Sequence, residues 1–107
     1  MDSFADLMAG KVTALVERGA PRDFRDVHAV CRAGLAEPGG LWRLWSRRQS
    51  ASGGDGDRKR AELLVLKHLD TIARLRPLES IADPEDRARA EQLRTWISRE
   101  FLRELPD

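Results

Sequence analysis

Cysteine is nearly absent: Cys31 is the single one among 107 residues. That excludes a disulfide within the chain and points to a reducing compartment. Long hydrophobic runs are missing as well. The longest strictly aliphatic stretch is Leu63-Leu64-Val65-Leu66, far short of the roughly 20 apolar residues that cross a bilayer as a helix. Neither sign of charge dominates, since 19 basic residues meet 18 acidic ones for a net charge of +1. An electrostatic case for any partner must therefore be local. The first residues carry Asp2 and Asp6 and lack the basic-then-apolar layout of a signal peptide. The expected setting is cytoplasmic, away from membranes. No segment alternates as a half-buried strand does, and no internal repeat is visible.

What is present suits one soluble helical domain over residues 1–107, with 41% hydrophobic and 35% charged residues. The fold class expected is all-α, a bundle of about five helices. Ser3-Phe4-Ala5-Asp6 has the capping spacing of a helix start, so the first helix is expected over 4–18, stopped by Gly19. Pro21 suits the first turn of a second helix over 21–34, with Phe24, Val27, Cys31 and Leu35 as its seam. Gly34 and Glu37-Pro38-Gly39-Gly40 end it. Leu41, Leu44, Trp45 and Arg48 predict a short third helix over 41–49. Residues 50–57, SASGGDGD, read as a flexible loop. A fourth helix over 58–76 carries the stripe Val65, Leu66, Leu69, Ile72 and Ala73. Leu63, Leu64 and Leu75 fall outside that stripe, which predicts contact on two sides. Asp83-Pro84 opens a last helix over 84–105, aligned on Ala90, Leu93, Ile97 and Phe101.

One lysine stands out. Phe4, Leu7, Met8, Val12 and Leu15 gather on one side of the first helix, and Lys11 falls about 20° from Phe4, within that stripe. A buried ammonium is costly unless something negative meets it. Beyond Gly19-Ala20-Pro21 the chain restarts with Arg22-Asp23-Phe24-Arg25-Asp26, two basic-acidic pairs. An inward lysine before such a start suggests a site for an anionic ligand. The plainer reading is a snorkelling lysine, or one paired with Asp23 or Asp26 for structure alone. Asp23 on its own would complement the helix dipole, worth about 0.3–1 kcal/mol.

Lys11, Arg18, Arg22, Asp23 and Asp26, in that order and spaced by aliphatic residues, resemble the downstream motifs of the AbiEii/AbiGii-type nucleotidyltransferase toxins. The resemblance covers about residues 5–31. It departs at Gly10, where the family usually carries an acidic residue. The family's Gly-Ser-x-x-Asp motif is missing from these 107 residues. The resemblance implies a nucleotidyl transfer using a nucleoside triphosphate, Mg²⁺ and an acceptor hydroxyl. It implies catalytic roles for Lys11, Asp23 and Asp26, and nucleotide binding by Lys11, Arg18 and Arg22. With the metal-binding motif missing, this sequence is expected to be the C-terminal helical portion of such an enzyme, truncated and inactive alone. The partners implied are an N-terminal nucleotidyltransferase half, a cognate antitoxin, or tRNA as acceptor; no DNA is expected.

Residues 41–60 form a second candidate surface. Arg43, Arg47, Arg48, Arg58, Lys59 and Arg60 face only Asp55 and Asp57, and Trp42 and Trp45 lie in the same stretch. Basic groups beside aromatics suit RNA, while tryptophans at helical spacing equally suit a core. Asp55-Gly56-Asp57 has the spacing of a magnesium-binding pair, but a glycine-serine loop cannot hold carboxylates rigidly. His28 and Cys31, one turn apart, supply two ligands and not a closed site, and His68 has no partner motif. No metal site is expected. The competing function classes are a non-catalytic helical protein-interaction module and an RNA-binding helical domain.

Overall fold

A computed structural model describes residues 3–54 and 56–103. Its helices are α1 (Ser3–Glu17), α2 (Pro21–Arg32), α3 (Pro38–Ala51), α4 (Arg58–Leu75) and α5 (Pro84–Trp96). A 3-10 turn at Leu78–Ser80 precedes α5, and a π-helical turn at Ile97–Phe101 continues it. Among the described residues there is no strand, and no helix is long and apolar enough to cross a membrane. The all-α expectation holds.

The boundaries follow local chemistry. Pro21, Pro38 and Pro84 each open a helix, where a missing N–H costs nothing. For that reason α3 begins at Pro38 rather than at Leu41, and it runs on to Ala51. Gly34 adopts φ 74° and α2 ends at Arg32, which leaves Leu35 in the following turn, 60% exposed rather than in the seam. The last helix widens at Ile97 instead of running regularly onward, and the Leu102 N–H donates to the Ile97 carbonyl at 3.0 Å. Residues 104 and 105 of the expected helix lie outside the described residues, as does Asp55.

The core forms around α1, which packs against α2, α3 and α4. Met8, Val12, Leu15 and Val16 meet Phe24, Val27, Leu41, Trp42, Val65 and the π-turn residues Ile97 and Phe101. Trp42 is central. Its indole N–H donates to the Phe101 carbonyl at 3.0 Å, and the two rings lie 4.9 Å apart. The buried N–H and the carbonyl of the π-helical turn thereby satisfy one another.

Two apolar expectations are corrected. On α1 the buried stripe is centred on Val12 and includes Ala9 and Val16, whereas Phe4 and Leu7 are 46% and 57% exposed. Lys11 consequently sits at the edge of the packed face and not within it. On α4, Leu63, Leu64, Leu66 and Leu75 are exposed, and the covered arc instead includes Glu62. Contact on the second side is not realised among the described residues. Glu62 is fully buried because Arg58, one turn earlier, meets it at 2.7 Å. The same guanidinium lies 5.4 Å from the Trp42 ring centroid. An ion pair and a cation–π contact thus bring a carboxylate into the core.

Gly19 ends α1 at φ 59°, and a Cβ there would lie 2.3 Å from the His68 ring. That ring comes close because its Nε2–H donates to the Val16 carbonyl at 2.9 Å, one of the acceptors left open by the helix end. Gly19→Ala should therefore destabilise the chain by about 1–3 kcal/mol, read as a lower urea midpoint at unchanged m-value. Arg58→Ala, which leaves the Glu62 carboxylate buried without its guanidinium, should cost about 3 kcal/mol in the same assay.

Candidate anion site at the junction of α1 and α2

Asp23 organises this corner. It is the third residue of α2 and only 4% exposed. Its Oδ2 accepts from the backbone N–H of Ala20 at 2.9 Å and from Arg18 Nε at 2.9 Å, while Oδ1 accepts from Arg18 Nη2 at 2.7 Å. The last turn of α1 is thereby clamped to the first turn of α2 across the Gly19 bend. The Arg18 hydrogen bonds hold the carboxyl below the ordinary aspartate range; burial opposes this, and the Ala20 N–H and the Arg18 and Arg22 charges reinforce it.

Asp26 lies one helical turn further on. Its Oδ2 is 3.7 Å from Lys11 Nζ, and the lysine side chain is 27% exposed. This is a charge contact beyond hydrogen-bond length, open to solvent. Lys11, Arg18, Asp6, Asp23 and Asp26 line a shallow cleft of about 280 Å³, with Leu7, Gly10 and Ala14 along its α1 wall. Arg48 of α3 reaches the same edge, where its Nη1 donates to the Asp6 carbonyl at 3.4 Å. A Cβ on Gly10 would come within 3.3 Å of that nitrogen. The position that departs from the family pattern is therefore the one over which an extra cation lies.

The structure thus brings together Lys11, Arg18, Asp23 and Asp26. Arg22 is exposed and acts on this corner only through its charge on Asp23. The basic stretch 41–60 is divided. Arg48 turns to α1 and Arg58 to Glu62, while Arg43, Arg47, Lys59 and Arg60 lie on the outer surface. Trp42 and Trp45 are 1% and 4% exposed, so base stacking is closed to them. Neither Arg48 nor Asp6 had been singled out for the lysine site. Arg48 is remote from Lys11 in sequence, and the Asp6 contribution is a backbone carbonyl that no side-chain pattern reports.

Metal chemistry finds no ligand set in these residues. Asp23 is taken by Arg18, Asp26 faces Lys11, and no three His, Cys, Asp or Glu side chains converge among the described residues. His28 packs against Trp96, with ring centroids 4.8 Å apart. The Cys31 thiol is pushed up by burial and by the Glu37 charge, the opposite of what a reactive thiolate needs.

The helical scaffold presents a lysine and an arginine, steadied by two aspartates, over an open cleft. The comparison with known families supplies the class: the chain belongs to the nucleotidyl transferase AbiEii toxin family of type IV toxin–antitoxin systems, whose family model matches residues 1–107. No curated protein and no solved structure matches it.

The lowered Asp23 ionisation makes a pH prediction. Asp23→Asn should cost about 1.5–3 kcal/mol at pH 7, where charge-assisted hydrogen bonds are lost. Because the folded carboxyl ionises below its unfolded value of about 3.9, the stabilisation is complete above that value. It disappears as pH falls through the lowered folded value. Denaturation midpoints of wild type and variant should therefore converge on acidification below about pH 4.

Proposed function

We propose that this chain is the phosphate-binding helical portion of an AbiEii-like nucleotidyl transfer system, acting in the cytoplasm. The observation that carries the reading is the Lys11 ammonium, held 3.7 Å from Asp26 over an open cleft. A contact of that length is readily exchanged for triphosphate oxygens. Lys11 would bind those oxygens and offset the charge that builds on the leaving pyrophosphate. Asp26 would hold the ammonium in place before the nucleotide arrives. Asp23, through Arg18 and Ala20, would act as a positioning residue that fixes both helices. Arg48 and Arg18 would add positive potential at either end of the cleft.

Magnesium, where bound, would supply Lewis-acid neutralisation of the phosphate charge in such a transfer. The carboxylates of this corner do not fit the task of holding it, because Asp23 and Asp26 each already face a cation and Asp6 beside them is a single exposed carboxylate. We therefore propose that the chain does not transfer a nucleotide by itself. The metal-binding carboxylates would come from a Gly-Ser-x-x-Asp segment outside this sequence. The acceptor would be an RNA hydroxyl such as the end of a tRNA, and an antitoxin would be the regulatory partner.

A second reading, a non-catalytic module that binds another protein, is favoured by one observation. Phe4 and Leu7 are exposed on the flank of α1 that also bears Lys11. An apolar flank beside a charged cleft suits a protein surface.

Two measurements separate these readings. Titration of the chain with ATP, followed by amide NMR shifts, should move resonances of α1 and the start of α2. Lys11→Ala should weaken that binding by about tenfold, the loss of one charge-assisted contact. Incubation with labelled nucleotides and tRNA should give no transfer by the chain alone. Label transferred by the isolated chain would disprove the assignment of the metal-binding carboxylates to another segment. Unchanged ATP binding in Lys11→Ala would remove the lysine from its role and favour the protein-interaction reading.

A further inference from the structure

We infer a second ligand site on the opposite side of α2: the cleft between α2, the end of α4 and α5 binds a small organic anion with an apolar body. It is separate from the lysine corner and does not rest on the function proposed for it.

The cleft holds about 550 Å³, within the range of roughly 300–1,000 Å³ that small-molecule sites occupy. Its floor is apolar, built from Phe24, Leu69, Ile72 and Leu93. Its walls carry five arginines, namely Arg25, Arg32, Arg76, Arg89 and Arg94, against a single acid, Asp86. That acid is already held by Arg89. Arg94 donates to the Arg76 carbonyl at 2.8 Å, and Arg32 reaches only the Gln92 amide oxygen at 3.4 Å. Arg25 and Arg76 have no side-chain partner among the described residues. Four guanidiniums therefore surround the floor without a carboxylate to meet them.

That arrangement repels itself unless an anion fills it. Guanidinium forks match carboxylate and phosphate oxygens in pairs, which selects these groups as the ligand's head. Inorganic phosphate alone would leave the floor uncovered, so the ligand must also bring apolar surface. His28 lies on the α2 wall, where burial and then the Arg32 charge hold its ring below the ordinary histidine range. Single-stranded RNA fits less well. Its bases need exposed rings to stack on, and Phe24, the phenylalanine of the cleft, is 1% exposed.

The test uses anilinonaphthalene sulfonate as a fluorescent probe, displaced by laurate, dodecyl phosphate, octyl glucoside or a short single-stranded RNA, each below any micelle concentration. The probe should bind at one site and move amide resonances of α2 and α5. Laurate and dodecyl phosphate should displace it and octyl glucoside should not; the tighter of the two identifies carboxylate or phosphate as the preferred head. The exposed pair Arg25→Gln with Arg76→Gln should weaken probe binding by about tenfold or more while the far-ultraviolet dichroism and thermal midpoint stay as in wild type. Equal displacement by the neutral glucoside would reduce the cleft to a merely apolar surface and overturn the proposal. Undiminished binding by the double variant, shifts confined to α1, or displacement by RNA but not by the amphipathic anions would each do the same.

Discussion

The Asp23 carboxylate is the contact on which the organisation of this molecule turns, because it fixes how α2 leaves α1. Three donors converge on it, two from Arg18 and one from the Ala20 backbone, across a bend of very few residues. Closing so short a loop costs little entropy, while charge-assisted hydrogen bonds are shorter and stronger than neutral ones. Burial works against the ionised form, yet the hydrogen bonds from Arg18 outweigh it. With the corner set, Asp26 arrives one turn later beside Lys11, and Phe24 and Val27 are delivered to the core. Gly19 and His68 complete the same corner from the other side, the glycine by leaving room and the imidazole by meeting the Val16 carbonyl. The lysine cleft is thus a consequence of a helix–helix junction and needs no separate scaffold.

Much of this was legible in the chain wherever the cause is local. Gly19, Pro21 and Asp83-Pro84 mark helix ends through their own backbone preferences, and the all-helical character follows from periodicity alone. What periodicity cannot supply is which flank of a helix the rest of the molecule covers. Lys11 shares an apolar arc with Phe4 and Leu7, but the neighbours of α1 cover the side centred on Val12 instead. The same blindness applies to α4. A glutamate is expected to face water, yet Glu62 is buried because Arg58, itself lying over the Trp42 ring, neutralises it. Arg48 was assigned to a basic stretch by its sequence neighbours and is claimed by α1 through a tertiary contact. Basic residues close together in the chain need not form one surface.

Membership of the AbiEii family sets the chemistry against which these carboxylates are to be read. A carboxylate that already accepts several N–H donors has fewer lone pairs left for a metal. Asp23 accepts three such donors and is only 4% exposed, so a metal would find little access to it. Asp26 is freer, at 55% exposure, but a lone exposed carboxylate does not confine a divalent ion. On the function proposed above, these helices would handle phosphate charge and leave metal binding to other carboxylates.

The same helix also shows why a linear motif and a site are different objects. Along Arg22-Asp23-Phe24-Arg25-Asp26 the chain alternates sign at nearly every step, but the helical turn sorts those charges by direction. Asp23 and Asp26 are drawn toward α1 and its cations, while Arg25 belongs with His28 and Arg32 to the cleft that faces α5. Arg22 lines neither cleft and contributes only its field. One short charged segment therefore serves two surfaces: its aspartates meet the cations of α1, and Arg25 adds to an arginine wall. Helical sorting also keeps the two from cancelling, since Arg25 and Asp26 are neighbours in sequence but form no ion pair with each other. Each cleft retains its own sign because the backbone turns between them.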